Sequence, residues 1–430
     1  MAATPSIKTL KERYDDLRIA HGDGAGRLAG STEDPFIVKL VQLILSYALE
    51  AKASDIHLEP TPSGARVRYR IDGILQEFLK LSPEVRDPLI RSLKVKASMA
   101  NEAVGRSKPQ DSRIDFQANG RMVDLRLSSF PTLYGDVLAV RVLDRSAPLL
   151  ALEQIGFPPE MQRELERLIR RPNGLLLVTG PAGSGKTTTL YAAVNKLKSP
   201  RIKIVTLEDP VEYQMDGVDQ ANVNPAIGVT FASGLRAILR QDANVILVGE
   251  IRDKETAEIA VRAALTGHLV LSSMHTRNAL GAATRLIEME IEPHLILASV
   301  TGLLAQRLVR QPCAQCAQPD AAADAPFAQL WEREMNAPPD DLQRAGLRRG
   351  AGCAACNQTG YRGRTGIFEL LVLDDELKQL ILDRAAGKLK HVDLGSGQVR
   401  TMLRHGLEKA ARGDTTLEEV LRVTGEVEEL

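Results

Sequence analysis

The residues at 180–187, GPAGSGKT, have the types and spacing of a phosphate-binding loop. They follow an apolar segment, LLLVT, and precede a segment of helical character, TTLYAAVNKL. Glycines allow the backbone to wrap around phosphates, and the N–H groups at the start of the helix receive their charge. A chance glycine-rich turn is the alternative, and the strand–loop–helix context disfavours it. The sequence therefore predicts that the chain binds a nucleoside triphosphate.

Within this loop each residue has a predicted part in binding. Lys186 is expected to reach the β- and γ-phosphates, and the Thr187 hydroxyl is expected to bind Mg²⁺. The nucleotide-binding residues are predicted to be Gly180, Pro181, Ala182, Gly183, Ser184, Gly185, Lys186, Thr187 and Thr188.

Acidic residues follow two further apolar segments. Glu250 comes directly after NVILVG, where an acid that supports Mg²⁺ or its waters would lie. Glu208, Asp209 and Glu212 follow IKIVTL in the same way. Because ligands of open α/β sheets bind outside the carboxyl ends of the strands, both groups of acids can converge on the phosphates. Spacing alone leaves open which acid activates water and which serves the metal, and surface acids after a strand are the alternative.

Histidines and arginines supply further candidates. His268 and His275 flank the segment LVLSSM, and a lone histidine is more often structural than functional. His275 is at the carboxyl end of this predicted strand, where it can sense a γ-phosphate. Arg236 and Arg240 are four residues apart and so share one helix face. They are either solvated surface charges or a source of positive charge for a phosphoryl transition state.

All four cysteines of the chain lie in two pairs, CAQC and CAAC. Two C-x-x-C pairs match tetrahedral ligation of zinc by Cys313, Cys316, Cys353 and Cys356, although the spacer is longer than in most zinc ribbons. A redox dithiol and two unliganded surface pairs are the alternatives. Four protein ligands leave no open position on the metal, so a zinc ion here is expected to be structural.

The hydrophobic pattern predicts an α/β protein of several parts. Alternating segments with turn signals precede a proline-rich stretch, and continuous apolar segments that alternate with helices follow it, as in a parallel sheet covered on both faces. From about residue 280 the strands are expected to give way to helices. The predicted parts are a flexible arm at 1–30, a small α+β domain at 31–145, a linker at 146–160, a P-loop core at 161–312, a cysteine module at 313–360 and a helical region at 361–430.

Composition excludes several classes of function. The 430 residues contain 55 basic and 55 acidic residues, and a nucleic-acid binder usually carries a basic excess, so no nucleic-acid partner is expected. No apolar run approaches the roughly 20 residues that cross a bilayer, and the N-terminus lacks the apolar region of a secretory signal. The chain is therefore predicted to be cytoplasmic.

Taken together, the motifs resemble those of the type II secretion and type IV pilus-assembly ATPases, from about residue 34 to residue 428. The motifs are, in order, ASDIHLEP, RYRIDG, the phosphate loop, TLEDPVE, LRAILRQDANVILVGEIRD, TGHLVLSSMHT and GYRGRTGIFELL. The resemblance implies an α/β fold with a RecA-like P-loop motor domain, a smaller α+β, PAS-like N-terminal domain and a helical C-terminal region stabilised by a zinc ion. It also implies a hexameric ring that works with an inner-membrane platform protein, so membrane association would be peripheral and through that partner.

The resemblance further implies residue roles. Glu208 would be the general base or water-positioning acid, Glu250 the acid that supports Mg²⁺, and His275 a γ-phosphate sensor. In this family arginines of the small domain reach the nucleotide; the matching positions are Arg126 and Arg141, which are otherwise outward-facing strand charges. Arg236 and Arg240 would add charge from the motor domain. Family members that secrete proteins or extend pili carry a tetracysteine module at this place, so the resemblance favours zinc.

Some features depart from the family pattern. Ala182 replaces a common threonine in the phosphate loop, and only about thirty residues precede the ASDIHLEP domain, where many relatives carry a docking domain. The expectation is a truncated form or a different docking surface. The cysteine pairs favour secretion or pilus extension over pilus retraction, since retraction motors typically lack them. A RecA-like nucleic-acid translocase and a non-hydrolysing scaffold are the competing classes, and the intact Lys186, Thr187, Glu208 and Glu250 oppose the scaffold.

Overall fold

The computed structural model describes residues 9–21, 34–100, 108–118, 121–144, 149–385 and 400–425. The chain divides into two compact units, unit 1 at Met1–Ala147 and unit 2 at Pro148–Leu430. The division lies in the segment 146–160 that the proline content suggests as a linker, and each unit has its own hydrophobic core.

Unit 1 is a six-stranded antiparallel sheet with helices. Its sheet has the order β3-β2-β1-β6-β5-β4. The elements are α1 Leu10–His21, α2 Pro35–Glu50, β1 Asp55–Thr61, β2 Gly64–Ile71, β3 Ile74–Leu81, α3 Pro83–Lys96, β4 Gln110–Ala118, β5 Arg121–Thr132 and β6 Gly135–Asp144.

Local sequence explains how unit 1 is built. The Asp34 carboxylate accepts a hydrogen bond from the Phe36 N–H at 2.8 Å, and Pro35 occupies the first turn, so α2 begins where its cap requires. Strand β1 alternates buried and half-buried residues, because one face of the sheet packs on the core and the other carries polar side chains. Arg126 and Arg141 are on that polar face.

The prediction of a flexible arm at 1–30 is wrong for residues 10–21, which form helix α1. Leu10 is fully buried, and Tyr14 packs against Phe36 with ring centroids 6.3 Å apart. Arg13 forms an ion pair with Glu50 of α2 at 2.7 Å. Tertiary packing on α2 therefore stabilises a helix that the polar composition of the segment does not reveal. The other residues of the predicted arm lie outside the described ones.

Unit 2 contains the second sheet and the C-terminal helices. Its elements are α4 Pro159–Ile169, β7 Gly174–Thr179, α5 Lys186–Leu197, β8 Ile204–Glu208, β9 Asp219–Asn222, α6 Phe231–Ile238, β10 Val245–Val248, α7 Lys254–Leu265, β11 Leu269–Met274, α8 Ala279–Glu288, α9 Pro293–Ser299, β12 Val300–Pro312, β13 Ala317–Pro319, α10 Asp324–Met335, α11 Asp341–Ala345, β14 Arg348–Gly350, β15 Tyr361–Val372, α12 Asp375–Ala385, α13 Met402–Ala411 and α14 Leu417–Thr424.

The large sheet of unit 2 has the order β15-β12-β7-β11-β10-β8-β9, and all its neighbours pair in parallel except β15 with β12. All six residues of β7 are buried. Leu175 and Leu177 pack into one hydrophobic cluster, whereas Leu176 and Val178 pack into another. Both faces are therefore covered by helices, as the continuous apolar segments predict, and the α/β fold class is confirmed.

Strands β12 and β15 lie where the sequence pattern predicts mainly helices. β12 pairs in parallel with β7 and in antiparallel register with β15, from Gly302 opposite Val372 to Pro312 opposite Tyr361. A Cβ on Gly302 would lie 2.6 Å from a Leu168 methyl, so helix α4 packs closely on β12 at this point. These pairings join distant parts of the chain, and such contacts override local propensity. The helices predicted for the C-terminal region follow as α12, α13 and α14.

The last helices form a separate small core. Phe327 and Trp331 of α10 are buried with Leu407 of α13 and Val420 of α14. Among the residues with described positions, no helix is both long and apolar enough to cross a membrane.

Candidate functional site

The parallel sheet of unit 2 brings several of the predicted site residues together at the carboxyl ends of its strands. Strands β7, β11, β10 and β8 are neighbours, and their carboxyl ends lead into the phosphate loop, His275, Glu250 and Glu208 in turn. A cleft of about 200 Å³ opens there. Its lining residues are Lys186, Thr187, Leu190, Tyr191, Glu208, Asp209, Pro210, Glu212, Phe231, Leu247, Gly249, Glu250, Ser273 and His275.

The phosphate loop has the backbone that its glycines permit. Gly183 and Gly185 have φ angles of 74° and 88°, in the left-handed region that side chains disfavour, and Gly185 precedes the first residue of α5. Residues 181–183 and 187–188 are exposed, so the loop and the start of the helix are open to a ligand. The buried Ser184 hydroxyl has no hydrogen-bond partner among the described residues. These features fit a bound phosphate group.

Lys186 is folded back onto the loop. Its ammonium donates to the carbonyl oxygens of Gly180 and Pro181 at 2.9 and 3.0 Å. Burial lowers the pKa of Lys186 to about 8, against the opposing effect of Glu250. A buried ammonium is costly, and Glu250 offsets only part of that cost. A phosphate group beside Lys186 would supply the missing negative charge.

Glu208 is the last residue of β8 and is only 4% exposed. Its carboxylate accepts hydrogen bonds from the Thr206 hydroxyl at 2.6 Å and from the Tyr191 hydroxyl. The Gln220 side-chain amide also donates to it, at 3.4 Å. Burial raises the pKa of Glu208 above its ordinary value, although these donors oppose the rise. A carboxylate with a raised pKa is a stronger base, as acid–base catalysis near neutral pH requires.

Glu250 has a different environment in the same cleft. It accepts a hydrogen bond from Arg252, and the His275 Nε2 atom lies 3.4 Å from its Oε2 atom. Burial raises the pKa of Glu250, but the charges of Arg252, His275 and Lys186 outweigh this effect and lower it. Burial and Lys186 lower the pKa of His275, which favours the neutral ring. Glu250 is therefore the more readily ionised of the two acids.

Other residues of unit 2 with predicted roles lie elsewhere. The Nδ1 atom of His268 is 3.1 Å from the Ala263 carbonyl, at the opposite end of β11 from His275. Arg236 forms an ion pair with Glu255, and Arg240 donates to the Arg236 carbonyl at 2.9 Å. Both arginines are exposed, Arg236 on α6 and Arg240 in the turn after its last residue, so the structure does not place them on one helix face, and neither lines the cleft.

In unit 1, Arg126 and Arg141 lie directly opposite each other on β5 and β6. Their guanidinium groups lie 3.7 Å from Asp124 and 3.5 Å from Asp55. Like charges that face each other across strands are destabilising, so the two aspartates offset part of this repulsion. Arg141 is 64% exposed.

Tyr191, Arg252 and Gln306 are functional candidates that the sequence does not reveal. Tyr191 bonds to Glu208, Arg252 to Glu250, and Gln306 to the phosphate loop, at 2.6 Å from the Ser184 carbonyl. Arg252 could have been suspected from its spacing, two residues after Glu250. Tyr191 and Gln306 depend on packing between α5, β8 and β12, which no local pattern encodes.

The four cysteines form one compact group. The Sγ atoms of Cys313 and Cys353 are 3.9 Å apart, those of Cys316 and Cys356 are 3.9 Å apart, and those of Cys353 and Cys356 are 3.7 Å apart. All four ligand atoms lie within 4.8 Å of one another. Four sulfurs about 2.3 Å from a tetrahedral zinc ion would be separated by about 3.8 Å. The arrangement is therefore compatible with Zn²⁺.

Fold and cleft together define a P-loop ATPase. The family model described as type II/IV secretion system protein matches residues 30–422. The chain is 45% identical over 401 residues to the type II secretion system ATPase E of Vibrio cholerae, covering 93% of this chain and 77% of that protein. It is 46% identical over 396 residues to the type II secretion system protein E of Pseudomonas aeruginosa, covering 92% and 76%.

Two solved structures show the same architecture. The pilus retraction motor PilT with bound ADP has a TM-score of 0.57 and 27% identity, over 90% of this chain and 97% of that one. The Legionella pneumophila ATPase DotB has a TM-score of 0.64 and 19% identity, and the match covers 93% of this chain and 99% of that one. This similarity indicates a shared fold. The chain belongs to the type II/IV secretion system protein family and is an ATP hydrolase of the kind that powers secretion. The resemblance seen in the sequence is thus confirmed.

Proposed function

We propose that this ATPase powers type II protein secretion and that its chemistry takes place in the cleft at the edge of the large sheet. The observation that carries the proposal is the convergence of Lys186, Thr187, Glu208, Glu250 and His275 on that one cleft. The curated relatives described above are type II secretion proteins, and the cysteine group favours this assignment over pilus retraction. Pilus extension is the second candidate, because the sequence motifs are common to both machines.

The first step is binding of ATP with Mg²⁺. The loop N–H groups and Lys186 hold the β- and γ-phosphates, for which Lys186 gives up its contacts to the loop carbonyls. Thr187 and Glu250 both line the cleft and present hard oxygen ligands, which suit Mg²⁺. When bound, Mg²⁺ neutralises charge that develops on the phosphate oxygens.

The second step is attack of water on the γ-phosphorus. Glu208 takes a proton from the water, the water oxygen forms a bond to phosphorus, and the bond to the ADP oxygen breaks. Tyr191 and Thr206 keep the carboxylate oriented towards the cleft. His275, neutral and close to Glu250, is placed to register whether the γ-phosphate is present.

Positive charge for the transition state is proposed to come from Arg126, Arg141, Arg236 and Arg240. Charge-assisted contacts from these arginines to the phosphates would stabilise the ATP-bound state and would weaken after hydrolysis. We further propose that the chain forms a hexameric ring in the cytoplasm that acts on an inner-membrane platform protein.

We also propose that the four cysteines hold one structural Zn²⁺. The fit of the sulfur separations to a tetrahedral ion supports the last point.

Complementation in the native host tests the function. A strain that lacks the chain receives the wild type, Lys186→Ala or Lys196→Ala; Lys196 is in the same helix but forms an ion pair with Glu166 away from the cleft. We expect secretion to be lost with Lys186→Ala and restored with the wild type and Lys196→Ala, while surface pili are retained. Normal secretion together with loss of pilus extension or retraction would contradict the proposal.

A further inference from the structure

The side chain of Gln306, in strand β12, makes a buried contact with the phosphate loop. Its side chain is 2% exposed. The amide Nε2 donates to the Ser184 carbonyl at 2.6 Å, and Oε1 accepts from the Thr189 hydroxyl of α5 at 2.8 Å. One side chain therefore joins the loop to the helix that follows it, and both of its polar atoms are satisfied.

The phosphate loop approaches β12 so closely that two of its positions, Gly180 and Gly185, have little room for a side chain. A Cβ on Gly185 would lie 2.9 Å from the Gln306 Nε2 atom, and a Cβ on Gly180 would lie 2.6 Å from the Gln306 carbonyl oxygen. Separations under about 3 Å are too short for carbon. Gly180 and Gly185 therefore leave room for Gln306.

The next residue fixes the backbone of Gln306. Arg307 donates to the Gln306 carbonyl at 3.0 Å and also donates to the Arg277 carbonyl, two residues after His275. Among the described residues Arg307 has no carboxylate within ion-pair distance, and its charge contributes to lowering the pKa of Lys186. Strand β12 is therefore tied to both the phosphate loop and the turn beyond His275.

We propose that Gln306 is a positioning residue for nucleotide binding, holding the phosphate loop in its binding shape through the Ser184 carbonyl and Thr189. The inference rests on the proposed function of the cleft. An ionised glutamate at this position would have about the same size but could not donate to the Ser184 carbonyl, and would add negative charge near the phosphates. A methionine would remove both hydrogen bonds and add no charge. The two substitutions therefore separate the loss of bonding from the addition of charge.

The test measures ADP affinity of the full chain by calorimetry, together with kcat, KM and melting temperature. We expect the dissociation constant to rise about fivefold for Gln306→Met and more than about tenfold for Gln306→Glu. KM for ATP should rise with kcat changed less than about twofold, because the loop binds ground and transition states alike. Gln311→Met, farther along the same strand, is the matched control and should bind ADP as the wild type does.

Thr189→Val provides a second route to the same claim, since it removes the hydroxyl that holds Gln306 and leaves position 306 intact. We expect about a threefold weaker ADP affinity. Unchanged ADP affinity in Thr189→Val and in every folded Gln306 variant, even with a lower melting temperature, would overturn the inference. A wild-type chain that fails to bind ADP would instead overturn the proposed function.

Discussion

The phosphate cleft and the cysteine group are two sites in unit 2 that use the same strand in different ways. Gln306 near the middle of β12 contacts the phosphate loop, and Cys313 follows the last residue of that strand. The cleft is open, and three of its residues, Lys186, Glu208 and Glu250, have shifted pKa values. In the cysteine group the four sulfurs face one another. The difference teaches that the titratable groups of the cleft lie where parallel strands end, whereas the cysteines lie on the connection from β12 to β15.

The largest expected effect is that of removing the Lys186 charge, which should disable the cleft and leave the cysteine group intact. Lys186→Ala should lower ATP turnover at least about 100-fold, because the charge that stabilises the transferring phosphoryl group is lost. Zinc content and melting temperature should stay close to those of the wild type. Steady-state turnover and metal analysis check this, with Lys196→Ala as the control. Turnover within a few-fold of the wild type would show that the cleft is not the reactive site.

The reverse experiment removes one sulfur from the cysteine group. Removing a residue that hydrogen-bonds to a metal ligand lowers metal affinity by about 10–100-fold. Cys353→Ser removes a ligand itself, so the affinity for zinc should fall at least about 100-fold. Zinc should fall from about one per chain to about none, and the melting temperature should fall. ATP turnover at low temperature should change less than about twofold.

Ala354→Ser, in the same turn but pointing into solvent, is the matched control for the cysteine experiment and should keep its zinc. If wild-type protein purified in the presence of zinc contains none, the metal assignment is wrong. If Cys353→Ser loses turnover in proportion to its zinc, the two sites are not separate in function.

A smaller effect tests how the cleft tunes its base. The Tyr191 hydroxyl stabilises the ionised form of Glu208, so Tyr191→Phe should raise the pKa of Glu208 further above its ordinary value. Because Glu208 must be ionised to accept a proton, the acid limb of the kcat/KM profile should move to higher pH, by up to about one unit. Turnover well above that limb should fall less than about tenfold. Tyr134→Phe, on an exposed hairpin, should leave the profile unchanged.

The parts of this site that sequence could predict are those set by local pattern. The phosphate loop requires glycines, a lysine and a threonine at fixed spacing, so positions 180–187 are apparent from sequence alone. Glu208 ends one apolar strand, and Glu250 and His275 come after two others; the parallel topology then brings all three to the carboxyl ends of the strands. The cysteine pairs were equally apparent, and the sulfur separations agree with the predicted tetrahedral set.

The rest depends on contacts between distant segments. Helix α1 is stabilised by packing of Leu10 on unit 1, and β12 and β15 by pairing across the large sheet. Tyr191 and Gln306 form hydrogen bonds with partners 17 and 122 residues away in sequence. Roles for Arg126, Arg141, Arg236 and Arg240 remain predictions, because each arginine pairs locally and family pattern alone links them to nucleotide.

The measurement that tests the central claim most directly is single-turnover ATP hydrolysis by Glu208→Gln, with Glu250→Gln beside it. The amide has the shape of the carboxylate but cannot take a proton at neutral pH. We predict that Glu208→Gln binds ATP within about threefold of the wild type and cleaves it at least about 100-fold more slowly at any Mg²⁺ concentration. Glu250→Gln should instead need more Mg²⁺. Rapid cleavage by Glu208→Gln at the wild-type Mg²⁺ requirement would contradict the account.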